Sequence, residues 1–262
     1  MRLNIIIYAG LSLALLLSSC NDSYNRETET STSDSQNVIH DTIFYANEII
    51  KEVGCLNNES LIRTGVWHFY YNSGVLKSKG EYLDGEKDGL WRYWFESGNI
   101  QSEIEHQEDR REGSYKTWYE SGGLESSVRY IGGNQDGDAL SFYENGDTMI
   151  HSFWKEGKSN GTTKTWYEDN RLKSVCRYKN GLRDGLEEGF NDNGKLNYNL
   201  NLTLGVKNGP YNVWDANGTL REKGNFKNDK LDGEIIVYDT LGVFQYKKVY
   251  ENDSLIVSSP TE

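Results

Sequence analysis

Cysteine and proline are scarce in this 262-residue chain, which has 3 Cys and 2 Pro, and no lysine- and arginine-rich run interrupts its acidic composition. Three cysteines cannot build a disulfide framework for a chain of this length. The 28 Lys plus Arg stand against 40 Asp plus Glu, and the resulting formal net charge of −12 repels nucleic-acid phosphates. We therefore expect no nucleic-acid partner.

Aromatic residues and glycine are abundant instead, with 7 Trp, 18 Tyr, 8 Phe and 27 Gly. An aromatic content this high excludes disorder throughout, and the length is sufficient for one large domain or two ordinary ones. The sequence says much about the architecture of the protein and little about any reaction that it could catalyse.

The N-terminus has the layout of a secretory signal peptide. Met1-Arg2 precedes the uncharged run Leu3–Leu17, which is too short to span a bilayer comfortably. Leu17-Ser18-Ser19-Cys20 follows at once and resembles the lipobox of bacterial lipoproteins, in which the cysteine sulfur receives diacylglycerol. The resemblance implies that residues 1–19 are removed and that Cys20 is the lipidation site. A plain signal peptide with a free Cys20 is the alternative.

Residues 20–37 predict a polar tether behind that anchor. The segment is rich in serine and threonine and has one aromatic residue, Tyr24, so it cannot form a core. As a flexible coil it spans roughly 20–25 Å. We expect the folded part to stand close to a membrane of the bacterial cell envelope, periplasmic or surface-exposed, with the lipid as its only membrane attachment.

Glycines at a constant spacing of 24 residues mark an internal repeat: Gly65, Gly89, Gly113, Gly137, Gly161, Gly185, Gly209 and Gly233. A fixed period of this size is typical of a repeat array rather than a closed globule. We number the eight repeats 1 to 8 over residues 65–256 and write +n for the n-th residue after the first glycine of a repeat. Residues 38–64 resemble a degenerate capping unit, and residues 257–262 are a tail.

Two further turn signals recur in every repeat. Position +9 is Gly in seven repeats and Asn170 in repeat 5, while +20 is Gly or Asp throughout. Turns this close together leave room only for short strands, and the segments between them are rich in Tyr, Trp, Phe and Val. The sequence therefore predicts an all-β fold, an elongated antiparallel meander of tandem hairpins in a single-layer sheet of about 16 strands. On this geometry Cys55 and Cys176 are too far apart to pair.

Aromatic columns raise the question of which face is buried. Position +5 is aromatic in all eight repeats, and +6 is aromatic in the first five. A two-residue hairpin turn groups the apolar +11 and +17 positions with +6, whereas a three-residue loop groups them with +5. We favour the three-residue loop, with +5 on the buried side. The +6 rings then form an aromatic ladder on the other face, which is our candidate partner-binding site: Tyr71, Phe95, Tyr119, Tyr143 and Tyr167. The alternative is that these rings shield a single-layer sheet.

Repeats such as Gly89-Leu-Trp-Arg-Tyr-Trp-Phe-Glu-Ser-Gly98 resemble the MORN-like repeat variant found in bacterial proteins labelled YwqK-family antitoxins. The resemblance covers about three quarters of the chain. It implies an interaction and assembly module, and one of its implied roles is that of an antitoxin or immunity-type protein that binds a cognate effector.

Catalytic and metal-binding patterns were not found. The four histidines, His40, His68, His106 and His151, fall at unrelated positions of the repeat, and no pair has ligand spacing. We expect no enzyme activity, no metal and no cofactor. The sequence favours a scaffold for a protein partner, with glycan binding, or the processing of an envelope polysaccharide, as a further alternative.

Overall fold

A computed structural model describes residues 37–260. Cys20, the signal-peptide segment and nearly all of the tether therefore lie outside the described residues. The described part consists of strands, turns and irregular segments, so none of its segments is a helix able to cross a membrane. Contacts divide the chain into two units, residues 1–122 and 123–262, which we describe separately.

In the first unit, residues 37–122 contain seven strands, and each pairs antiparallel with its neighbour along the chain. The first two form the degenerate capping unit. The strands are β1 Val38–Phe44, β2 Ile50–Asn57, β3 Arg63–Tyr70, β4 Leu76–Leu83, β5 Glu86–Trp94, β6 Ile100–Gln107 and β7 Arg110–Trp118.

The second unit continues the pattern with fifteen strand segments. Three of them, β11, β14 and β19, have two residues each and pair with the same neighbours as the strands that follow them. The first eight are β8 Leu124–Ile131, β9 Asn134–Phe142, β10 Thr148–Lys155, β11 Lys158–Ser159, β12 Gly161–Trp166, β13 Leu172–Lys179, β14 Leu182–Arg183 and β15 Gly185–Phe190. The others are β16 Leu196–Thr203, β17 Val206–Trp214, β18 Leu220–Lys227, β19 Lys230–Leu231, β20 Gly233–Tyr238, β21 Phe244–Glu251 and β22 Ser254–Pro260.

Within each unit, the predicted antiparallel meander of repeated hairpins is confirmed. Each complete hairpin of the second unit joins one strand that begins near a repeat's first glycine to the strand that follows it. The last strand reaches Pro260, although the repeat pattern assigned its final four residues, 257–260, to the tail.

The hairpin loops have three residues, as predicted. In repeat 1 the N–H of Gly74 donates to the carbonyl of Tyr71 at 2.9 Å, and the same +9 to +6 bond recurs in all eight repeats. Gly74 has a φ of 84°, a conformation that glycine adopts without a Cβ penalty, and Asn170 takes the same role at 63°. Position +5 consequently pairs with +11, as Tyr70 does with Leu76.

Successive hairpins are joined by tighter turns. The two central residues, at +19 and +20, both have positive φ, as in Asp84 at 50° and Gly85 at 86°. This is the backbone of a type I′ turn, whose twist matches that of the strands it connects. Glycine, asparagine and aspartate dominate these two positions for that reason.

The buried face of the sheet differs from the predicted one, because the pairing of the two strands shifts register inside each hairpin. Phe69 pairs with Ser78 but Tyr70 pairs with Leu76, which leaves Lys77 without an opposite residue. Such a bulge interrupts the alternation of faces along the strand. The core side therefore carries +2, +4, +13, +15 and +17, and the +5 rings lie on the opposite side. The predicted burial of +5, which was the reason for placing the +6 rings on the face away from the core, was wrong. In the first unit its buried cluster is Trp67, Tyr82, Trp91 and Ile104.

Neighbouring repeats exchange volume across this core. The ring of Trp91, at +2, lies where a Cβ on Gly80, at +15 of the preceding repeat, would be only 2.2 Å away. In the second unit, the small Ala139 pairs instead with the larger Val128. In these two contacts a large side chain at one position meets a small one at the other, which keeps the local packing density nearly constant. Elsewhere both positions are large, as in Ile104 with Tyr115 and Leu200 with Tyr211.

Cations cover the core rings from position +22. Arg63 Cζ lies 4.4 Å from the ring centroid of Trp67, and Lys87 Nζ lies 4.2 Å from that of Trp91. In repeat 6, position +2 is the acid Glu187. Arg183, at +22 of repeat 5, donates a hydrogen bond to its carboxylate at 3.1 Å. The +22 cation therefore meets either an aromatic face or a carboxylate at +2.

Candidate functional site

The aromatic ladder lies at the ends of the first five hairpins, where +6 directly precedes the three-residue loop. Three of its tyrosines donate a hydroxyl hydrogen bond to the +5 carbonyl of the next repeat: Tyr71 to Trp94 at 2.8 Å, Tyr143 to Trp166 at 2.8 Å, and Tyr167 to Phe190 at 2.9 Å. Tyr45 of the capping unit makes the same bond to Tyr70 at 2.8 Å. These hydroxyls therefore join consecutive repeats.

The ladder rings are half-buried rather than fully exposed. A lysine at +12 flanks two of them, with Lys77 Nζ 5.4 Å from the centroid of Tyr71 and Lys173 Nζ 5.4 Å from that of Tyr167. The structure places Tyr71, Phe95 and Tyr119 at successive hairpin ends of the first unit, and Tyr143 and Tyr167 at hairpin ends of the second. Partner binding by these rings stays a prediction.

The ladder stops where +6 takes on another role. In repeat 7, Asp215 Oδ1 accepts the backbone N–H groups of Asn217 at 2.9 Å and Thr219 at 3.0 Å. In repeat 8, Asp239 accepts two N–H bonds within its own loop in the same way, and they lower the pKa of its carboxyl. A tyrosine bonds to the next repeat, whereas an aspartate closes its own loop.

No metal centre is visible in residues 37–260, since they contain no group of three or more His, Cys, Asp or Glu side chains placed to hold an ion. His68 is buried, and burial together with the nearby Lys79 lowers its pKa to about 4, so its ring is neutral at pH 7. The expected lack of a cofactor remains an expectation.

Cys176 and Glu187 are buried next to each other in the second unit. Glu187 accepts hydrogen bonds from Tyr198 Oη at 2.9 Å and from Arg183 Nη1 at 3.1 Å. Burial and the nearby Glu187 raise the pKa of the Cys176 thiol to about 11, so it stays protonated at neutral pH. Cys176 is a free thiol, which agrees with the prediction that it does not pair with Cys55.

A second surface feature was not predicted from the sequence. Positions +3 and +16 lie on the side of the sheet opposite the core, and most repeats have polar residues there. Repeat 4 has Leu140 and Phe153 instead, and Phe153 is 40% exposed. The signal in the sequence is the change from polar to apolar residues at +3 and +16 in repeat 4, whereas the prediction rested on the aromatic columns +5 and +6.

The MORN repeat variant matches the chain in five segments: residues 63–84, 87–108, 111–131, 159–180 and 207–228. Each begins two residues before the first glycine of a repeat, so the matches are repeats 1, 2, 3, 5 and 7. The hairpins of repeats 4, 6 and 8 have the same strand pairing without a match. No curated protein sequence matches the chain. Repeats of the MORN variant indicate a repeat protein with a binding role.

Proposed function

We propose that the protein is a lipid-anchored, non-enzymatic scaffold of the bacterial envelope that binds a protein partner through the aromatic ladder. The anchor is Cys20, at the end of the lipobox-like segment, and residues 20–37 are the tether. Two or three acyl chains give firm attachment, because each buried methylene contributes about 0.8 kcal/mol. The acidic composition makes an electrostatic attachment to anionic lipids unfavourable.

Binding is supported by the recurrence of an aromatic ring at +6, at the ends of hairpins that follow one another along the chain. Hairpins that follow one another place equivalent residues roughly 10 Å apart, two strand spacings. Their backbones are held by loop bonds and, at three ladder tyrosines, by bonds to the next repeat, so the rings need little ordering on binding. Half-buried aromatic rings with a polar rim are typical anchors of protein interfaces.

The test is an affinity purification of the tagged, lipidated protein from its own envelope, with mass spectrometry of what is recovered and Cys20→Ala as control. We expect one protein in near-equal amount from the wild type, and loss of the tagged chain from the membrane fraction in the control. Recovery of glycan without protein would favour a polysaccharide surface. A recovered effector whose toxicity appears when this protein is removed would favour the antitoxin role.

Phe95 allows the ladder to be tested without removal of an inter-repeat bond, since phenylalanine has no hydroxyl. Phe95→Ser should abolish partner recovery while unfolding at a temperature near that of the wild type. Tyr71→Phe is the matched control, because it keeps the ring and removes only the hydroxyl bond. Full recovery with Phe95→Ser would exclude the ladder as the binding site.

A further inference from the structure

Repeat 4 carries an apolar pair on the side of the sheet opposite the core. Read along the array, +16 is Glu81, Glu105, Arg129, Phe153, Arg177, Asn201, Asn225 and Val249. Among the first seven repeats, only repeat 4 has an apolar residue there, and it lies between two arginines. The other repeats of the same chain show what the fold needs at this position, so the fold does not require Phe153.

Strand pairing brings Phe153 next to a second apolar residue. In the pairing of β9 with β10, Phe153 lies opposite Asp138 and His151 lies opposite Leu140. Paired residues share a face of the sheet. Leu140 and Phe153 are therefore diagonal neighbours. His151 Nε2 and Asp138 Oδ1 are 2.7 Å apart and occupy the other two corners of this square.

Three cations surround the apolar pair. Lys164 lies opposite His151 on β12, and Arg177 lies opposite Thr162 on β13, which places both on the same face. On β8, Arg129 alternates with Ser127, which is paired with Leu140. No ion pair of these three cations occurs within residues 37–260. We call these five residues the repeat-4 patch: Arg129, Leu140, Phe153, Lys164 and Arg177.

Two long side chains of the patch pack over glycines, where a Cβ would contact them. A Cβ placed on Gly137 would lie 3.7 Å from Arg129 Cδ, and one on Gly161 would lie 3.6 Å from Phe153 Cβ. The side chains of Arg129 and Phe153 thus lie against the first glycines of repeats 4 and 5. Arg129, Phe153 and Arg177 follow one another at two strand spacings, roughly 10 Å each.

We propose that the repeat-4 patch binds an extended acidic segment of a protein partner, in which one apolar residue lies between two carboxylates. The apolar residue contacts Leu140 and Phe153, and the carboxylates pair with Arg129 and Arg177. A polyproline II helix repeats every three residues with a rise of about 3.1 Å per residue, so side chains three apart lie on one side roughly 9 Å apart. This matches the spacing of the row.

Charge complementarity is the reason for an acidic occupant. The chain as a whole has a net charge of −12, yet this patch has three cations. Two acids lie beside it on the same face: Asp138 is paired with His151, and Glu188 lies opposite Val175, two residues from Arg177. An acidic segment is repelled by most of the surface and attracted here, which gives selectivity by position. The inference deepens the proposed scaffold function by adding a second binding surface with a stated partner chemistry.

The probe is a fluorescein-labelled peptide with the central sequence Glu-Pro-Pro-Leu-Pro-Pro-Glu, titrated with the full chain carrying Cys20→Ala. Fluorescence anisotropy should show saturable binding that weakens as salt is raised. Phe153→Ser should lower the affinity at least tenfold, and the double variant Arg129→Glu, Arg177→Glu should abolish binding. Val249→Ser, the equivalent change in repeat 8, and Lys227→Glu are the matched controls and should bind as the wild type does.

Control peptides define the outcomes that overturn the inference. A peptide with Lys for both Glu residues, or Ser for the Leu, should not bind. Equal binding of these peptides, wild-type affinity in Phe153→Ser, or tight binding to vesicles of anionic phospholipid that the Arg variants lose would each refute the proposal. Partner recovery that depends on Phe95 tests the scaffold function separately, so either one can fail alone.

Discussion

The hydroxyl of Tyr71 donates to the main-chain carbonyl of Trp94, 2.8 Å away and 23 residues later in the chain. The bond joins the loop of one hairpin to the strand end of the next, and Tyr143 and Tyr167 repeat it in the second unit. Consecutive repeats are thereby coupled at their hairpin ends as well as through strand pairing. In a repeat array, nearest-neighbour terms of this kind set the cooperativity of unfolding.

Loss of one such hydroxyl should cost little but measurable stability. We expect Tyr71→Phe to lower the free energy of unfolding by about 1 kcal/mol, the usual contribution of one hydrogen bond. The reverse change, Phe95→Tyr, adds a hydroxyl at the equivalent position and should raise it by up to about 1 kcal/mol. Urea denaturation of both variants gives the two values, and a Tyr71→Phe variant as stable as the wild type would contradict the coupling.

The contact between Gly80 and Trp91 makes a stronger prediction about the core. Gly80→Ala places a Cβ against the indole and should destabilise the fold by about 1–3 kcal/mol, although Gly80 has no strained backbone angle. Trp91→Ala should cost about 3–5 kcal/mol through the cavity that it opens.

The pair Val128 and Ala139 suggests the compensating change. The double variant Gly80→Val, Trp91→Ala reproduces the volumes of that pair and should regain about 1 kcal/mol relative to Trp91→Ala alone. Thermal unfolding followed by circular dichroism measures all three variants. If the valine destabilises the alanine variant further, volume exchange between repeats is not what fixes these residues.

His68 should make stability fall in mild acid. Its pKa is lowered from 6.5 to about 4 by burial and by Lys79, so between these pH values the unfolded chain binds a proton that the folded chain does not. The stabilising contribution is complete above pH 6.5 and is lost as the pH falls towards 4. Urea midpoints at pH 7 and 4.5 should differ less in His68→Gln than in the wild type, and an unchanged difference would exclude His68 as the cause.

Cys176 should react slowly with thiol reagents while the protein is folded. Burial and Glu187 raise the pKa of its thiol to about 11, which leaves almost no thiolate at pH 8. The rate with a disulfide reagent at pH 8 should rise by orders of magnitude in denaturant. Cys176→Ser provides the background from the other cysteines, and fast labelling of the folded wild type above that background would contradict the assigned burial.

The repeat length, the hairpins and the positions of both turns follow from glycine spacing, because positive φ at a fixed position requires a few residue types. The length of the hairpin loop did not follow from that spacing. The buried face could not be read in the same way. Strict alternation from Leu76 to Tyr82 puts +11 and +17 on one side, but the bulge at Lys77 separates them. No residue type at +12 marks a bulge, so the sequence pattern favours +5 as the buried column, although the core position is +2, with Trp67 and Trp91.

Volume exchange between +2 and +15 also restricts how the gene for this chain can change in length. Removal of the segment encoding residues 89–112 would place Tyr115 beside Gly80, which accommodates a larger indole, whereas tandem duplication of it would press a second tryptophan against Ile104. Recombination between repeats would therefore give unequal products, one underfilled and one overcrowded. Each repeat therefore fits the side-chain volumes of its own neighbours, and one repeat cannot replace another without a change in packing.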